Sequence, residues 1–205
     1  MIVEDEDFTR TTLVSALRLN GIDVIADSPT AQGAVELAKA LTPNVALIDL
    51  NLGPGPTGLD LANHLRKLDP DIGLVILTSV EDPRLLRSSM PDLPPGTQWL
   101  VKRSVNDVTK VAKVISNSVS LSREENLQVT QSPEMQRLTS VQIETLRLVG
   151  AGFTNAEIAK KRFVSERSVE QTISRLSKTF NLDDQPSFNQ RASLVKVFYR
   201  HTNAK

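Results

Sequence analysis

Two short, continuous apolar runs constrain the fold of this chain more than any other feature of its sequence. VALIDL (residues 45–50) and GLVILTS (residues 73–79) each contain four consecutive apolar residues, followed by a polar one. Such runs are typical of strands that are covered on both faces of a sheet. The helical pattern LDLANHLRKL lies between them, so the second strand is expected to return parallel to the first. The sequence therefore predicts an α/β unit built on a parallel sheet.

The alternation of strands and helices continues on both sides of these two runs. Short strands are predicted at MIV, IDVIA and QWLVK, and helices at DFTRTTLVSALRLNG, TAQGAVELAKAL and SVNDVTKVAKVISNSV. In the last helix, Ser104 and Asp107 have the spacing of a capping box, with Asp in place of Glu. We therefore predict a doubly wound, five-stranded parallel sheet over residues 1–120.

Charged and polar side chains fall at the carboxyl ends of the predicted strands, where open parallel sheets place their sites. Converging carboxylates repel one another unless a cation neutralises them, and hard oxygen ligands of this kind suit Mg²⁺. A carboxylate beside Mg²⁺ and a lysine can also attack a phosphoryl group. The residues at these strand ends are Glu4 and Asp5 after MIV, Asp49 after VALI, Thr78 after LVIL, and Lys102 after QWLV.

Each of these residues has a structural interpretation when it is considered alone. Asp49 can cap the loop that follows it, and Thr78 is an ordinary strand residue. Lys102 alone would be a surface lysine, and Glu4 or Asp5 a helix N-cap or a solvated acid. The combination of all five, in this order and at these strand ends, is what favours a site.

The segments VEDED, LIDLNLG, ILTS and WLVK resemble the motifs of the receiver domain of two-component response regulators, which has a flavodoxin-like fold. The resemblance covers about residues 1–120. It implies that Asp49 accepts a phosphoryl group from a histidine kinase. It also implies that Asp5 and Asp49 bind Mg²⁺ with help from the backbone carbonyl of Asn51, and that Glu4 lies nearby.

The same resemblance assigns roles to the last two strands. It implies that Lys102 contacts the phosphoryl group and that Thr78 and Trp99 form the switch pair. Trp99 is the only tryptophan, at a position where the family usually has Tyr or Phe, and its residue type alone would make it a core aromatic. Three stretches depart from the family pattern, and one of them is the loop GPGPTGLD, which is richer in glycine and proline than usual. The first strand has almost nothing before Glu4, and EDPRLLRSSMPDLPPGTQW carries prolines where the fourth helix belongs, so that helix should be short.

The remainder of the chain has a different character. Residues 121–136 are polar, lack sustained periodicity and are predicted to be a linker. Residues 137–205 contain no strand signal but have three helix starts, at Thr139 with Gln142, at Thr154 with Glu157, and at Ser165, and RASLVKVFYRH can form a fourth helix. Four short helices joined by tight turns predict an all-α helix-turn-helix domain.

Charge divides the chain in the same way. Net charge is zero overall, but residues 1–134 hold 12 Lys and Arg against 18 Asp and Glu, whereas residues 135–205 hold 12 against 6. An acidic module joined to a basic one suggests that the basic one meets nucleic acid. Chance variation between two protein surfaces is the alternative explanation.

The segments LT, GFTNAEIA, VSERSV and RAxLV resemble the LuxR-type (NarL/FixJ) DNA-binding domain over about residues 136–203. The resemblance places the recognition helix in residues 164–181, and such a helix enters the major groove. It implies two sets of DNA-facing residues. Candidates for base contacts are Ser168, Glu170, Gln171, Ser174 and Arg175, and candidates for phosphate contacts are Lys160, Lys161, Arg167 and Lys178.

Glu170 departs from the family pattern, in which Lys is frequent at this position. A carboxylate repels phosphate but can accept a hydrogen bond from cytosine N4. The alternative is that Glu170 pairs with Ser174 or Arg167 on a solvated face.

Together these features predict a response regulator that binds promoter DNA, is phosphorylated by a sensor histidine kinase and dimerises when active. No run of about 18 apolar residues suggests a membrane span, and the absence of cysteine favours the cytoplasm. Two alternatives remain open. One is a phosphorylation-independent DNA-binding protein with a structural receiver, and the other is a phosphate-handling α/β enzyme that uses Asp49 as a covalent nucleophile.

Overall fold

The computed structural model describes residues 1–86, 92–102, 107–120, 132–182 and 189–202. The chain folds into two compact units. The first comprises residues 1–78 and 88–130, and the second comprises residues 79–87 and 131–205. Among the helices described, none is both long enough and apolar enough to span a bilayer.

The first unit is built on a five-stranded sheet whose strands all pair in parallel, in the order β2-β1-β3-β4-β5. This is the flavodoxin-like order of a doubly wound fold, so the predicted fold class is confirmed. The central strands are buried along their whole length, as their continuous apolar runs predict. The strands are β1 (Ile2–Val3), β2 (Asp27–Ser28), β3 (Val45–Asp49), β4 (Gly73–Thr78) and β5 (Gln98–Val101).

Four helices flank the sheet, and their first turns explain where they begin. Thr30 caps α2 through a hydrogen bond from the Gly33 N–H, and Thr57 forms a capping box with Asp60 at the start of α3. The helices of this unit are α1 (Asp7–Leu19), α2 (Ala31–Leu41), α3 (Gly58–Leu68) and α4 (Val108–Ser120).

The second strand lies after the stretch for which the sequence predicts it. The pattern IDVIA predicts a strand over residues 22–26, but these residues form no strand, and β2 contains only Asp27 and Ser28. The reason lies in its neighbour, because β1 has only two residues and offers partners only to Asp27 and Ser28. An edge strand extends no further than the strand to which it bonds.

The predicted capping box of α4 is also wrong. The helix begins at Val108, so Asp107 stands before it instead of at its third position. The Asp107 carboxylate accepts a hydrogen bond from the Thr109 N–H at 2.8 Å, which makes Asp107 itself the capping residue. Ser104, the predicted cap, lies outside the described residues.

The expected shortening of the fourth receiver helix is confirmed within the described residues. Between β4 and β5 they contain a single 3₁₀ turn, Pro83–Leu85, and no α-helix. Pro83 occupies the first turn, where its missing N–H costs nothing, and the Asp82 carboxylate caps the turn through the Arg84 N–H.

The second unit contains the predicted helices. Capping boxes start α6 at Thr139 with Gln142 and α7 at Thr154 with Glu157, and Ser165 caps α8, as its sequence predicts. Apolar side chains on one face of each helix form a shared core that includes Leu146, Val169 and Leu176. The helices are α5 (Pro133–Gln136), α6 (Ser140–Gly150), α7 (Asn155–Arg162), α8 (Glu166–Thr179) and α9 (Gln190–Thr202).

The capping box of α7 uses the charged Glu157, whereas that of α6 uses the uncharged Gln142. The contribution of the α7 box to the stability of the fold should therefore depend on pH. Hydrogen bonds from the Thr154 N–H and hydroxyl lower the pKa of Glu157 below its ordinary 4.5. A lowered carboxylate pKa stabilises the folded state above about pH 4.5, and this stabilisation is lost as pH falls through the folded pKa. Glu157→Gln gives α7 the uncharged box of α6, which uses Gln142.

At neutral pH we expect Glu157→Gln to unfold at a slightly lower urea concentration than the wild type. The gap should close as pH falls from neutral through the lowered pKa of Glu157, because only the wild type loses a charged cap. Urea unfolding of both proteins across this range checks the prediction. A gap that stays constant with pH would show that the charge of Glu157 contributes nothing.

Candidate functional site

The carboxyl ends of three strands bring a lysine between two carboxylates. Glu4 follows β1, Asp49 is the last residue of β3, and Lys102 follows β5. The Lys102 ammonium donates hydrogen bonds to Glu4 Oε2 at 2.9 Å and to Asp49 Oδ2 at 3.0 Å. Residues separated by 98 and 53 positions therefore meet at one edge of the sheet, as the strand-end argument predicts.

The two adjacent acids, Glu4 and Asp5, have different surroundings. Glu4 is only 2% exposed and is an ion-pair partner of Lys102, whereas Asp5 is exposed. Glu4, Asp5 and Asp49 can each direct one carboxylate oxygen so that the three oxygens lie within 4.8 Å of one another. Glu4 therefore holds the lysine, and Asp5 offers its carboxylate to the open side of the pocket.

The electrostatics of the pocket favour a charged lysine among acids. Burial raises the pKa of Glu4, and the nearby charge of Asp49 adds to this effect, while the hydrogen bond from Lys102 opposes it. Burial by itself lowers the pKa of Lys102, but the Asp49 and Glu4 carboxylates outweigh it, and the net pKa is raised. Lys102 is therefore an ammonium at physiological pH, and among the described residues it is the cation paired with the acids of this cluster.

The donor set fits Mg²⁺. The cluster offers carboxylate oxygens without nitrogen or sulfur ligands, and Mg²⁺ prefers oxygen and needs few protein ligands because it keeps several waters. Asp49 is buried and Asp5 is exposed, so the cluster can be reached from solvent on the side of Asp5. Asn51, whose backbone carbonyl is the remaining predicted ligand, lies exposed in the loop after β3.

The predicted switch residues lie on the neighbouring strands. Thr78 is the last residue of β4, is fully buried, and pairs in register with Val101, directly before Lys102. Trp99 lies in β5 and is 1% exposed, so in this conformation it is a core aromatic. The structure thus places Thr78 at the same sheet edge as the acids, while the Trp99 side chain is buried.

Two glycines shape the pocket, although the sequence pattern alone gives them no role. A Cβ on Gly58 would lie 2.1 Å from the Asp49 carbonyl oxygen, and a Cβ on Gly53 would lie 3.3 Å from Asp5 Oδ2. The Gly58 N–H also donates to the Leu50 carbonyl at 2.9 Å. The available signal is a glycine directly after the helix cap Thr57, a position at which a close backbone approach is needed.

We expect Gly58→Ala to destabilise the first unit by about 1–3 kcal/mol, since the added methyl meets rigid backbone. Urea unfolding followed by the fluorescence of Trp99, the only tryptophan, measures the loss. Gly33→Ala is the matched control, because its Cβ in the first turn of α2 would meet a side-chain atom, the Ser28 hydroxyl at 2.7 Å, instead of backbone. Equal effects of both substitutions would refute the backbone clash as the cause.

The second unit presents the predicted DNA-facing residues on one exposed surface. In α8 the residues Val169, Thr172 and Ile173 are buried, while the residues between them point outward. All nine predicted positions are exposed except Ser174, which is half-buried; they are Lys160, Lys161, Arg167, Ser168, Glu170, Gln171, Ser174, Arg175 and Lys178. A helix with such a face fits the geometry of a recognition helix.

The end of α7 and the turn before α8 contain contacts that the sequence pattern does not indicate. Lys161 lies 4.5 Å from the centre of the Phe153 ring, so its ammonium is held by a cation–π contact. Its neighbour Arg162 points inward, where it contacts Glu144 and the Thr145 hydroxyl. Phe163, the C-cap of α7, has a left-handed backbone (φ 54°) and is 95% exposed in the turn that leads to α8.

Glu170 stands alone on the exposed face of α8. Among the described residues its carboxylate has no hydrogen-bond or ion-pair partner, and neither Arg167 nor Ser174 contacts it. The alternative in which Glu170 simply pairs on a solvated face is therefore not what the structure shows. A carboxylate without a partner on this exposed face can accept a hydrogen bond from a bound molecule.

Comparisons with known proteins agree with both units. A family model described as the response regulator receiver domain matches residues 1–91, and one described as bacterial regulatory proteins of the luxR family matches residues 136–188. The transcriptional regulatory protein LnrK of Bacillus subtilis (strain 168) is 28% identical, over 97% of this chain and 96% of that protein.

Other relatives match over similar lengths. The DNA-binding transcriptional activator EvgA of Escherichia coli (strain K12) is 24% identical, over 93% of this chain and 97% of that protein. The solved structure of the two-component response regulator RcsB in complex with DNA covers 97% of this chain and 96% of its own, with a TM-score of 0.55 and 19% identity. At that identity the likeness supports the fold alone.

Proposed function

Since this chain belongs to the response regulators of the NarL/FixJ type, which join a receiver domain to a LuxR-type helix-turn-helix domain, we propose that phosphorylation of Asp49 controls its binding to promoter DNA. The observation that carries the proposal is Lys102 held at 2.9 Å and 3.0 Å between Glu4 and Asp49 at one sheet edge. The family consists of transcription regulators, so the alternative of a phosphate-handling enzyme is set aside.

The phosphoryl transfer needs one nucleophile and charge stabilisation. An Asp49 carboxylate oxygen attacks the phosphorus of the donor, a phosphohistidine of a sensor kinase. The bond from phosphorus to the donor nitrogen breaks, and its electron pair leaves with the imidazole, which takes a proton from solvent. Lys102 holds Asp49 Oδ2, so the other oxygen, Oδ1, would be the one that attacks.

Charge on the transferred group is offset from two sides. Lys102 supplies an ammonium that can move from Glu4 to a phosphoryl oxygen while it keeps its contact with Asp49. Asp5, Asp49 and the Asn51 carbonyl would hold Mg²⁺, with Glu4 nearby, and the ion would neutralise charge on the phosphoryl oxygens. The acids would otherwise repel the incoming phosphate.

The switch follows from the position of Thr78. Its hydroxyl lies at the end of β4, next to the pocket edge, and can donate to an oxygen of the phosphoryl group. Trp99, two register positions back on β5, then follows into the space that Thr78 vacates. The phosphorylated and unphosphorylated states are two populations that the modification shifts.

DNA binding is assigned to the exposed face of α8. Lys160, Lys161, Arg167 and Lys178 supply phosphate contacts, which make affinity salt-dependent, and the remaining exposed residues of α8 reach base edges. Two copies would match paired half-sites, so we also propose a homodimer when active. A sensor kinase and promoter DNA would both be met in the cytoplasm.

The proposal is tested by binding to duplex DNA that the wild-type chain itself selects from a random pool. Acetyl phosphate with Mg²⁺ should raise affinity by about 5- to 150-fold, the usual range of coupling between two sites. The same additions should leave Asp49→Asn unchanged. Intact mass measured on the same samples shows whether the phosphoryl group has been taken up.

The second candidate is a DNA-binding protein with a structural receiver that does not respond to phosphorylation. The two-residue β1 and the single 3₁₀ turn described between β4 and β5 favour it, because both depart from the receiver pattern. Equal DNA affinity of the phosphorylated and unphosphorylated wild type would support this candidate and refute the phosphorylation switch.

A further inference from the structure

The chain leaves the first unit at Thr78, and the residues that follow pack as part of the second unit. We refer to residues 79–87 as the 79–87 segment; residues 79–86 of it are described. The sequence pattern places this stretch in the predicted receiver. The segment is bonded directly to the predicted switch residue, and four of its side chains are buried, namely those of Val80, Glu81, Asp82 and Leu85.

The first anchor joins the segment to the end of α9. The Glu81 N–H donates to the His201 carbonyl at 2.9 Å, and Glu81 Oε2 lies 2.6 Å from His201 Nδ1. Both residues are buried, and the His201 ring also packs against Phe180, with 5.6 Å between the ring centres. This is a two-point contact on the last turn of a helix.

The second anchor is Arg84. Its guanidinium forms a fork with the fully buried Asp82 carboxylate, with the shortest contact at 2.7 Å. The same group donates to the Leu138 carbonyl at 3.1 Å and to the Met135 carbonyl at 3.4 Å. Arg84 thereby joins the segment to the carboxyl end of α5, where the Met135 carbonyl also accepts from the Leu138 N–H, and to the Leu138 carbonyl just before α6.

The third anchor comes from α6. Arg147 donates to the Leu86 carbonyl at 3.0 Å, and Leu85 beside it is 3% exposed. The segment is thus held at α5, α6 and α9 by hydrogen bonds and by burial. Separating it would expose apolar surface and leave buried charges and carbonyls unpaired, which is costly. It is an integral part of the second unit.

We propose that the 79–87 segment is a tether through which the state of Asp49 is transmitted to the DNA-binding unit. This rests on the proposed phosphorylation of Asp49. When Thr78 turns toward the phosphoryl group, it draws Ser79 and Val80 with it, and the Glu81–His201 contact, only three residues further along, is strained first.

The contacts of α9 carry the effect onward. This helix packs against α6 and α8, and α8 bears the DNA-facing residues. Loosening the last turn of α9 therefore changes the support on which the recognition helix rests. The unphosphorylated state is the one in which the 79–87 segment is fully held by the second unit.

Hydrogen exchange of the full chain tests the tether, read by mass spectrometry on peptides covering residues 79–86 and 195–202. With acetyl phosphate and Mg²⁺, exchange in both peptides should become about 5- to 150-fold faster in the wild type and stay unchanged in Asp49→Asn. Unchanged exchange in a sample whose intact mass shows full phosphorylation would overturn the tether. Absence of phosphorylation in the mass spectrum would instead refute the proposed function.

Variants of the anchors give a second, independent readout. Arg84→Lys keeps the charge but cannot bond Asp82 and two carbonyls at once, and Glu81→Gln removes the charge of the pair with His201. Both variants should show faster amide hydrogen exchange in residues 195–202 without any phosphoryl donor. Their DNA affinity should also shift toward that of the phosphorylated wild type. Arg18→Lys, which alters an arginine bonded to the Val24 carbonyl in the first unit, is the matched control. If Arg84→Lys and Glu81→Gln exchange like this control, the anchors do not act as proposed.

Discussion

Asp49→Asn is expected to abolish uptake of a phosphoryl group from acetyl phosphate, because an amide has no carboxylate oxygen to attack phosphorus. Intact mass after incubation with the donor and Mg²⁺ measures the result directly. Lys102→Ala should slow uptake by about 100-fold, since it removes a positioned donor from the developing charge. It should not abolish uptake, because the nucleophile remains.

The pocket geometry predicts different effects of substituting the two neighbouring acids, Glu4 and Asp5, when uptake of the phosphoryl group is measured in the same way. Asp5→Asn should raise the Mg²⁺ concentration needed for half-maximal uptake, because Asp5 is the exposed member of the cluster. Glu4→Gln should act mainly by loosening Lys102, which loses the charged partner at 2.9 Å, and should therefore resemble a mild form of Lys102→Ala.

Lys110→Ala is the control for these substitutions, because it removes an exposed lysine from α4 of the same unit. It should take up phosphate at the wild-type rate. A phosphorylated Asp49→Asn protein would place the acceptor elsewhere and overturn the assignment of Asp49. A wild-type rate for Lys102→Ala would show that its two short ion pairs hold the pocket together without assisting transfer.

The sequence predicted best those parts of the protein in which local chemistry and global fold agree. Continuous apolar runs identified β3 and β4, and Thr139, Thr154 and Ser165 each start a helix where their capping spacing indicates. The convergence of Asp49 and Lys102 followed from one rule, that the carboxyl ends of parallel strands share an edge. These features need no knowledge of distant contacts.

The features that sequence reasoning missed depend on such contacts. IDVIA has strand chemistry, but residues 22–26 form no strand, because the two residues of β1 pair only with Asp27 and Ser28. The sequence alone does not distinguish Gly58 from the other glycines of its loop, because only the structure shows how close it lies to the Asp49 carbonyl. The prolines after β4 predicted a short helix, yet nothing local indicates that Glu81 and Arg84 pack with a unit that starts about 50 residues later.

Glu170→Lys is expected to bind random-sequence DNA about tenfold more tightly than the wild type and to discriminate less between sites. The substitution replaces an unpaired carboxylate on the exposed face of α8 by a cation. A new phosphate contact should steepen the dependence of log affinity on log salt by about 0.9. Loss of the acceptor should weaken preference for cytosine at one position by about tenfold.

Two variants separate charge from base recognition. Glu36→Lys makes the same change of charge on an exposed position of α2 in the first unit, and should alter neither the salt slope nor the sequence preference. Glu170→Gln removes the negative charge without adding a cation, so it should lose the preference for cytosine while the salt slope changes little. Site selection from a random pool, repeated with each protein at two salt concentrations, gives both quantities. If Glu170→Lys selects the wild-type site with undiminished preference, Glu170 does not face a base, and the recognition helix must meet the groove through residues nearer its first turn, such as Arg167 and Ser168.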